Sequence, residues 1–183
     1  MSKYVKSLGV AMLAYGCVMA VAGQDSEIKK SDFTSEAWAK GNITVTADAT
    51  AAPDGTTTAC KAAITTTAPA TLIQSITATA TTNTYTIYTK KGNLTTARFL
   101  MRNGTTNIDF TSGTLDYDSG VITGSGWTVE KLPNGWFKLK YTNSDTETIN
   151  LGNIIMLYAG YVGAPYNAGD YIYVWGAQLE SGK

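Results

Sequence analysis

Short segments in which apolar and polar residues alternate follow one another along most of this chain. Turn residues separate them, and no stretch of helical periodicity lies between them. Clear examples are Ile43–Ala47, Thr84–Thr89 and Trp136–Tyr141, the last of which is expected to turn Phe137, Leu139 and Tyr141 inward. Such a succession predicts an all-β protein, an antiparallel β-sandwich, and among sandwiches we favour a jelly roll.

Aromatic and aliphatic residues run almost without a break through the closing segment, Tyr171–Glu180, and Gly169-Asp170 precedes it as a turn. A strand this apolar is stable only when its edges and at least one face are covered. We therefore predict a central strand. Strict alternation would place Trp175, Ala177 and Leu179 on one side, which we expect to face the core.

The remaining strands are predicted from the same pattern. Ala52–Gly55 and Pro133–Gly135 are predicted turns, because proline presets φ and glycine accepts a left-handed conformation. The segment 31–38 is expected to form a loop or short helical turn that folds Phe33 and Trp38 onto the body. The other predicted strands are 57–64, 71–78, 96–101, 107–110, 114–117, 127–132 and 148–158.

Composition narrows the range of possible functions. Formal net charge is zero and 15% of residues are charged, so the basic footprint of a nucleic-acid-binding protein is missing. Histidine is absent, which removes the usual general base and the commonest metal ligand. We therefore predict no catalytic residue, no metal, no cofactor and no nucleic-acid partner. The spacing does not pair the candidate carboxylates for a glycosidase, and these are Asp109, Asp116, Asp118, Glu130, Asp145 and Glu147.

The first 24 residues form a separate apolar segment, and two interpretations stay open. Lys3 and Lys6 before an apolar run, with Ala20–Ala22 as a small-residue site, would suit a secretory signal over residues 1–22. The same stretch carries apolar residues at helical spacing. We favour an anchoring arm, residues 1–24, followed by a sandwich domain, residues 25–183. The anchoring residues would be Val5, Leu8, Met12, Tyr15 and Met19.

Five motifs in order resemble one domain family. They are 31–38, Ala51–Ala59 (containing Pro-Asp-Gly-Thr), Thr86–Gly92 (Thr-Ile-Tyr-Thr-Lys-Lys-Gly), Asn134–Leu139 (Asn-Gly-Trp-Phe-Lys-Leu) and Tyr173–Glu180 (Tyr-Val-Trp-Gly-Ala-Gln-Leu-Glu). Together they resemble the carbohydrate-binding-module-like jelly rolls of tailed-bacteriophage virion proteins, which occur in head fibres, decorations and tail fibres. The resemblance covers about residues 31 to 180. It implies an antiparallel jelly roll on a virion surface and does not by itself imply a sugar ligand.

Two further expectations follow from the resemblance. Related secreted modules place a calcium-binding aspartate in the last strand, and Trp175-Gly176-Ala177 occupies that segment here, so no calcium is expected. Virions assemble in the cytoplasm, so an apolar arm can be retained and buried in the particle. The partners expected are other virion proteins of capsid or tail and further copies of the chain, with a trimer as one form.

Tryptophan and tyrosine are the side chains most suited to stacking on sugars. Trp38, Trp136 and Trp175 coincide with the family motifs and are expected to fill or cap the core. Trp127 follows Gly124-Ser125-Gly126 and lies outside the motifs, and the loop residues Tyr161 and Tyr166 are similarly placed. The candidate glycan contacts are therefore Trp127, Tyr161 and Tyr166.

Two functions from different classes remain at this stage. The first is a structural virion-surface protein, a capsid decoration or fibre anchored through its arm. The second is a lectin-like module that binds cell-surface glycans, either on the virion or exported to the periplasm or beyond.

Overall fold

The computed structural model describes residues 32–78, 82–103, 109–143, 151–159 and 166–181, with side chains described at all of these except 76–78, 102–103, 109–110, 143, 151–159 and 181. Twelve strands and one 3-10 turn (Pro133–Gly135) make up its regular structure, and the described residues contain no α-helix. The strands are β1 (Ala39–Gly41), β2 (Ile43–Thr50), β3 (Ala59–Ile64), β4 (Ala70–Ala78), β5 (Asn83–Lys91), β6 (Thr96–Asn103), β7 (Asp109–Asp116), β8 (Val121–Thr123), β9 (Trp127–Lys131), β10 (Trp136–Asn143), β11 (Leu151–Ala159) and β12 (Tyr171–Ser181).

The strands form two six-stranded antiparallel sheets. Sheet A has the order β1-β4-β11-β6-β7-β8, and sheet B has the order β2-β3-β12-β5-β10-β9. The predicted all-β antiparallel sandwich is confirmed. The closing strand β12 pairs with β3 on one side and β5 on the other, so its predicted central position is also confirmed.

The alternation of β10 shows how the sequence selects the core face. Phe137 and Leu139 are buried, and Tyr141 is partly buried against the same core, as predicted. Lys138 and Lys140 point to the opposite side. The preceding turn places Asn134 and Gly135 at φ values of 60° and 76°, the left-handed region that these two residue types tolerate best.

The segment before β1 caps the core. Phe33 and Trp38 are 0% and 2% exposed, and their ring centroids lie 4.7 Å apart. The Oδ1 atom of Asp32 accepts hydrogen bonds from the backbone N–H groups of Thr34 and Ser35, each at 3.2 Å. This local turn brings the two aromatic residues onto the body, as the sequence predicted.

Strand β12 corrects one prediction about the core. Ile172 and Val174 are buried before a bulge, and Ala177 and Leu179 are buried after it. The bulge lies between Trp175 and Gln178, and Gly176 within it has a φ of 60°. The extra residue reverses the alternation. The prediction was therefore right for Ala177 and Leu179 and wrong for Trp175, which lies on the outer side of sheet B.

Other strands also differ from the sequence prediction. The segments 107–110 and 114–117 were predicted as separate strands, but β7 runs without a break from Asp109 to Asp116. The three-residue strands β1 and β8 were not predicted. The arm with its anchoring residues, and the boundary between residues 24 and 25, lie outside the described residues. No helix within the described ranges is long and apolar enough to cross a membrane.

Candidate ligand-binding face

The outer side of sheet B, opposite the core, combines aromatic rings with lysines. We call this surface the aromatic–lysine face. Its rings are half-buried, so each keeps part of its surface in water. It is defined by Tyr88, Tyr171, Tyr173, Trp175, Lys61, Lys90, Lys138 and Lys140.

The strand register brings these residues together from four strands. Tyr173 of β12 is paired with Lys61 of β3 on one side and Lys90 of β5 on the other. Side chains paired directly across antiparallel strands lie on the same face and within contact range. The face is therefore built on the interior strands of the sheet, which hold their side chains more rigidly than loops do.

The next row of the register carries the central aromatic pair. Tyr88 of β5 is paired with Trp175 of β12 and with Lys138 of β10. The rings of Tyr88 and Trp175 meet edge to face, with centroids 5.0 Å apart and an interplanar angle of 70°. A Cβ atom on Gly176 would lie 2.9 Å from Cδ2 of Tyr88, so the tyrosine ring packs directly on the glycine backbone.

The loop between β2 and β3 supports one side of this face. Ala52 of this loop and Ala59, the first residue of β3, pack against Trp136, which is 1% exposed. The indole Nε1 of Trp136 donates a hydrogen bond to the Ala51 carbonyl at 3.1 Å. The Nε1 atom of Trp175 donates to Oγ1 of Thr58 at 3.1 Å. These two hydrogen bonds fix the positions of both indoles. Trp136 is buried beneath the face, and Trp175 is partly exposed on it.

Tyr171 and Tyr173 form a second aromatic pair on the same strand. Their centroids lie 5.4 Å apart at 81°, and the ammonium group of Lys61 lies 4.1 Å from the Tyr171 centroid, within cation–π range. A Cβ atom on Gly92 would overlap the Tyr171 ring, so this position requires glycine. Burial raises the pKa of the Tyr173 phenol, and the hydrogen bond and charge of Tyr171 raise it further.

The lysines lie beside the aromatic rings at the centre of the face, and the carboxylates lie at its periphery. Glu130, at 4.0 Å from Nζ of Lys138, is on the edge strand β9, and Glu180 is near the end of β12. Among the described residues, no carboxylate lies within ion-pair distance of Lys90 or Lys140. The centre of the face is therefore positive, although the chain as a whole carries no net charge.

The candidate glycan contacts from the sequence lie elsewhere. Trp127 is only 7% exposed and packs in the core against Tyr85 and Tyr141, with its Nε1 donating to Oγ1 of Thr111 at 3.1 Å. It therefore offers no open ring face for a sugar, although the glycine-rich segment before it had suggested an exposed position. Tyr166 is half-buried and packs against the core. Tyr161 lies outside the described residues.

The carboxylates near the core edge serve structure. Asp116 accepts backbone hydrogen bonds from Ser119 at 2.8 Å and Asp118 at 2.9 Å, and the Ser119 bond is the main cause of its lowered pKa. Asp118 in turn pairs with Lys91. Within the described part of the chain, no group of three or more Cys, Asp or Glu side chains is placed to hold a metal ion.

Sequence reasoning missed the aromatic–lysine face for an identifiable reason. Trp175 was assigned to the core by strict alternation, although a glycine inside a strand is a known sign of a bulge, and Gly176 follows it directly. In β5, Tyr85 and Tyr88 are an odd number of residues apart, so only one of them can face the core. Tyr85 is buried there and Tyr88 faces outward.

No family model and no curated protein matches this sequence. Among solved structures, the chain is similar to TmCBM61 in complex with β-1,4-galactotriose, with a TM-score of 0.52 and 13% identity over 85% of this chain and 97% of that one. It is also similar to the enzymatically active domain of bacteriophage CBA120 tailspike protein 4, with a TM-score of 0.53 and 12% identity over 84% of this chain. That match spans only 21% of the tailspike chain. At such identities the likeness establishes the fold, which is the jelly roll of carbohydrate-binding modules.

Proposed function

We propose that this chain is a carbohydrate-binding protein and that the aromatic–lysine face is its binding site. The observation that carries the proposal is the fixed, partly exposed pair Tyr88 and Trp175 among side chains that can form hydrogen bonds. Sugars present apolar C–H surfaces that stack on aromatic rings and hydroxyl groups that need polar partners. Around the pair, Lys90, Lys138 and Gln178 supply such partners. The fold shared with TmCBM61, which was solved with a galactotriose, supports the same function.

Binding without catalysis fits the carboxylates described above. A glycosidase needs two carboxyl groups on either side of one glycosidic bond, about 5 to 10 Å apart. Glu130, near the aromatic–lysine face, lies 4.0 Å from the ammonium group of Lys138. Asp116 and Asp118 lie together in the turn after β7, where they bind backbone and Lys91. We therefore propose that the chain holds glycans and does not cleave them.

Glycan-array binding by the purified full chain tests this proposal. Tyr88→Ala and Trp175→Ala are each expected to weaken the strongest binding about tenfold or more, because each removes one stacking surface. Tyr88→Phe keeps the ring and should bind nearly as well as the parent. Val121→Ala changes an exposed residue on sheet A and serves as the control away from the face. A flat array, or full binding by both alanine variants, would refute the site.

We also propose a setting, in which the chain is a capsid decoration or fibre on the surface of a tailed phage. Its five-motif resemblance to phage virion modules and its likeness in fold to a phage tailspike domain support this proposal. The apolar arm, residues 1–24, would attach the jelly roll to capsid or tail proteins. Export to the periplasm with residues 1–22 as a signal peptide is the competing location.

Mass spectrometry of purified virions distinguishes the two locations. A virion protein is expected to be present in stoichiometric amount with its N-terminal peptide intact, whereas an exported protein would begin after Ala22. Deleting residues 1–24, or changing Leu8 and Met12 to serine, should abolish co-purification with particles. The change Ser7→Ala in the same arm should not. A deletion variant that still co-purifies would contradict anchoring through the arm.

A further inference from the structure

The lysines of the aromatic–lysine face surround its central aromatic pair. Lys90 lies two residues after Tyr88 on β5, Lys138 is paired with Tyr88 across the β5–β10 ladder, and Lys140 follows on the same side of β10. Side chains two residues apart on a strand are separated by about 7 Å, and diagonal neighbours by about 7 to 8 Å. All three lysines are therefore neighbours of Tyr88 on this face, and Nζ of Lys138 lies 5.9 Å from the centroid of its ring.

We infer that this face takes an acidic glycan, in which carboxylate or sulfate groups pair with Lys90, Lys138 and Lys140 while sugar rings stack on Tyr88 and Trp175. The inference rests on the glycan binding proposed above and names the class of ligand. Lysine suits this role because its ammonium group is a compact positive charge with three hydrogen-bond donors, which can bind an oxyanion from several directions.

The positions of the lysines argue against a purely protective role. Lysines often protect the edge strands of sheets from pairing with other chains. Here β5 and β10 are interior strands of sheet B, with β12, β5, β10 and β9 in consecutive order. Like charges directly opposite each other destabilise a sheet. None of Lys90, Lys138 and Lys140 is paired directly with another, so the sheet tolerates them as neighbours, and an anionic ligand would offset their remaining repulsion.

The existing partner of Lys138 leaves it available to a ligand. Its ammonium group is 4.0 Å from Glu130, and the two side chains are 36% and 64% exposed. An exposed ion pair at this separation contributes little to stability. A ligand carboxylate can therefore replace Glu130 as the partner of Lys138 without a large penalty.

Matched pairs of polysaccharides test the inference. The full chain is measured by biolayer interferometry against polygalacturonate and its methyl ester, hyaluronan and its carboxyl-reduced form, and dextran sulfate and dextran. We expect at least one acidic member to bind about tenfold or more tightly than its neutral partner. That preference should fall as salt rises from about 50 mM to about 500 mM. Preference within the first two pairs identifies a carboxylate, and preference within the third identifies a sulfate.

Variants then assign the preference to the face. Lys90→Gln with Lys138→Gln should reduce the acidic preference about tenfold. Lys91→Gln is the matched control, since Lys91 is the next residue on β5 and pairs with Asp118 away from the face. Acidic binding that survives the double substitution would overturn the inference. So would acidic binding that Tyr88→Ala leaves unchanged, because charge alone would then explain it.

The two proposals fail in different ways. Equal binding to acidic and neutral members, lost in Tyr88→Ala, would overturn the acidic class and leave glycan binding in place. Absence of binding to every acidic and neutral polysaccharide in the panel, together with a flat glycan array, would overturn both.

Discussion

The ring of Trp175 meets the ring of Tyr88 edge to face on the outer side of sheet B, with centroids 5.0 Å apart. Further along the same strand, Ala177 and Leu179 face the core. The bulge at Gly176 makes this arrangement possible. Without the extra residue, Trp175 would lie on the same side of the strand as Ala177, and the aromatic–lysine face would lack the Trp175 ring.

Gly176→Ala is therefore expected to affect both stability and binding. The alanine would have to adopt a φ of 60°, which costs about 1 to 2 kcal/mol, and its Cβ atom would press on Tyr88. We expect a lower free energy of unfolding in urea and weaker glycan binding. Gly135→Ala is the matched control, because Gly135 also has positive φ but nothing lies within 4 Å of an added Cβ. Equal effects of the two substitutions on binding would contradict the packing argument.

Thr89 links the aromatic–lysine face to the core. Its hydroxyl donates to the Tyr173 carbonyl at 3.0 Å, so it is left to accept the hydrogen bond from the hydroxyl of Tyr117. Thr89 is fully buried and Tyr117 is nearly so. Thr89→Val would leave the tyrosine hydroxyl without this partner, which should cost about 1 to 3 kcal/mol of unfolding free energy.

A double-mutant cycle checks whether the unpaired Tyr117 hydroxyl causes this loss of stability. Tyr117→Phe removes the other partner, and in Thr89→Val with Tyr117→Phe the unsatisfied phenol is gone. The double variant should thus be less destabilised than the sum of the two single variants, as measured by urea unfolding. Additive free energies would show that the Thr89–Tyr117 bond does not account for the cost.

Alkaline pH should destabilise the fold through two buried tyrosines. Burial raises the pKa of Tyr85 and of Tyr117 well above the usual value of about 10. Above pH 10 or so, the unfolded chain loses these protons while the folded chain keeps them. Stability is therefore complete below that pH and falls above it by about 1.4 kcal/mol per pH unit for each tyrosine.

Urea unfolding between about pH 9 and about pH 11 measures this slope. Tyr85→Phe and Tyr117→Phe should each make it shallower, and the double variant shallower still. An unchanged slope in the double variant would show that other groups govern alkaline unfolding.

The local features of this fold could be predicted from the sequence. The inward positions of Phe137 and Leu139 in β10, and the capping role of Phe33 and Trp38, could be predicted because each depends on a few neighbouring residues. Strand order could not, since pairs such as β12 with β3 and β5 join residues far apart in the chain. Periodicity does not encode which strands meet.

The candidate site was harder to predict for the same reason. The aromatic–lysine face exists only once Tyr88, Trp175 and Lys138 are brought into register from three strands. A single bulge then decides whether Trp175 belongs to it. Trp127 was predicted as a ligand contact because glycines precede it, but Gly113 and Gly126 instead allow its indole and Tyr141 to pack closely in the core.

Trp127 provides the comparison that separates core from binding face. Its ring lies 6.0 Å from Tyr85, 6.4 Å from Phe99 and 5.5 Å from Tyr141, measured between centroids. Trp127→Ala should therefore cost about 3 to 5 kcal/mol of unfolding free energy, and Trp127→Phe less, because the smaller ring keeps part of the packing. Trp175→Ala on the half-exposed face should cost less stability than Trp127→Ala.

Binding should rank these two tryptophans in the opposite order. Glycan affinity measured on the folded fraction should be nearly unchanged in Trp127→Phe and strongly reduced in Trp175→Ala. If Trp127→Phe instead lost binding at unchanged stability, Trp127 would be the ligand contact that the sequence first suggested. The ligand would then have to reach a ring that is only 7% exposed, which requires the edge of the sandwich near β9 to open on binding. Because both variants are read in the same two assays, stability and affinity together decide which face of sheet B meets the sugar.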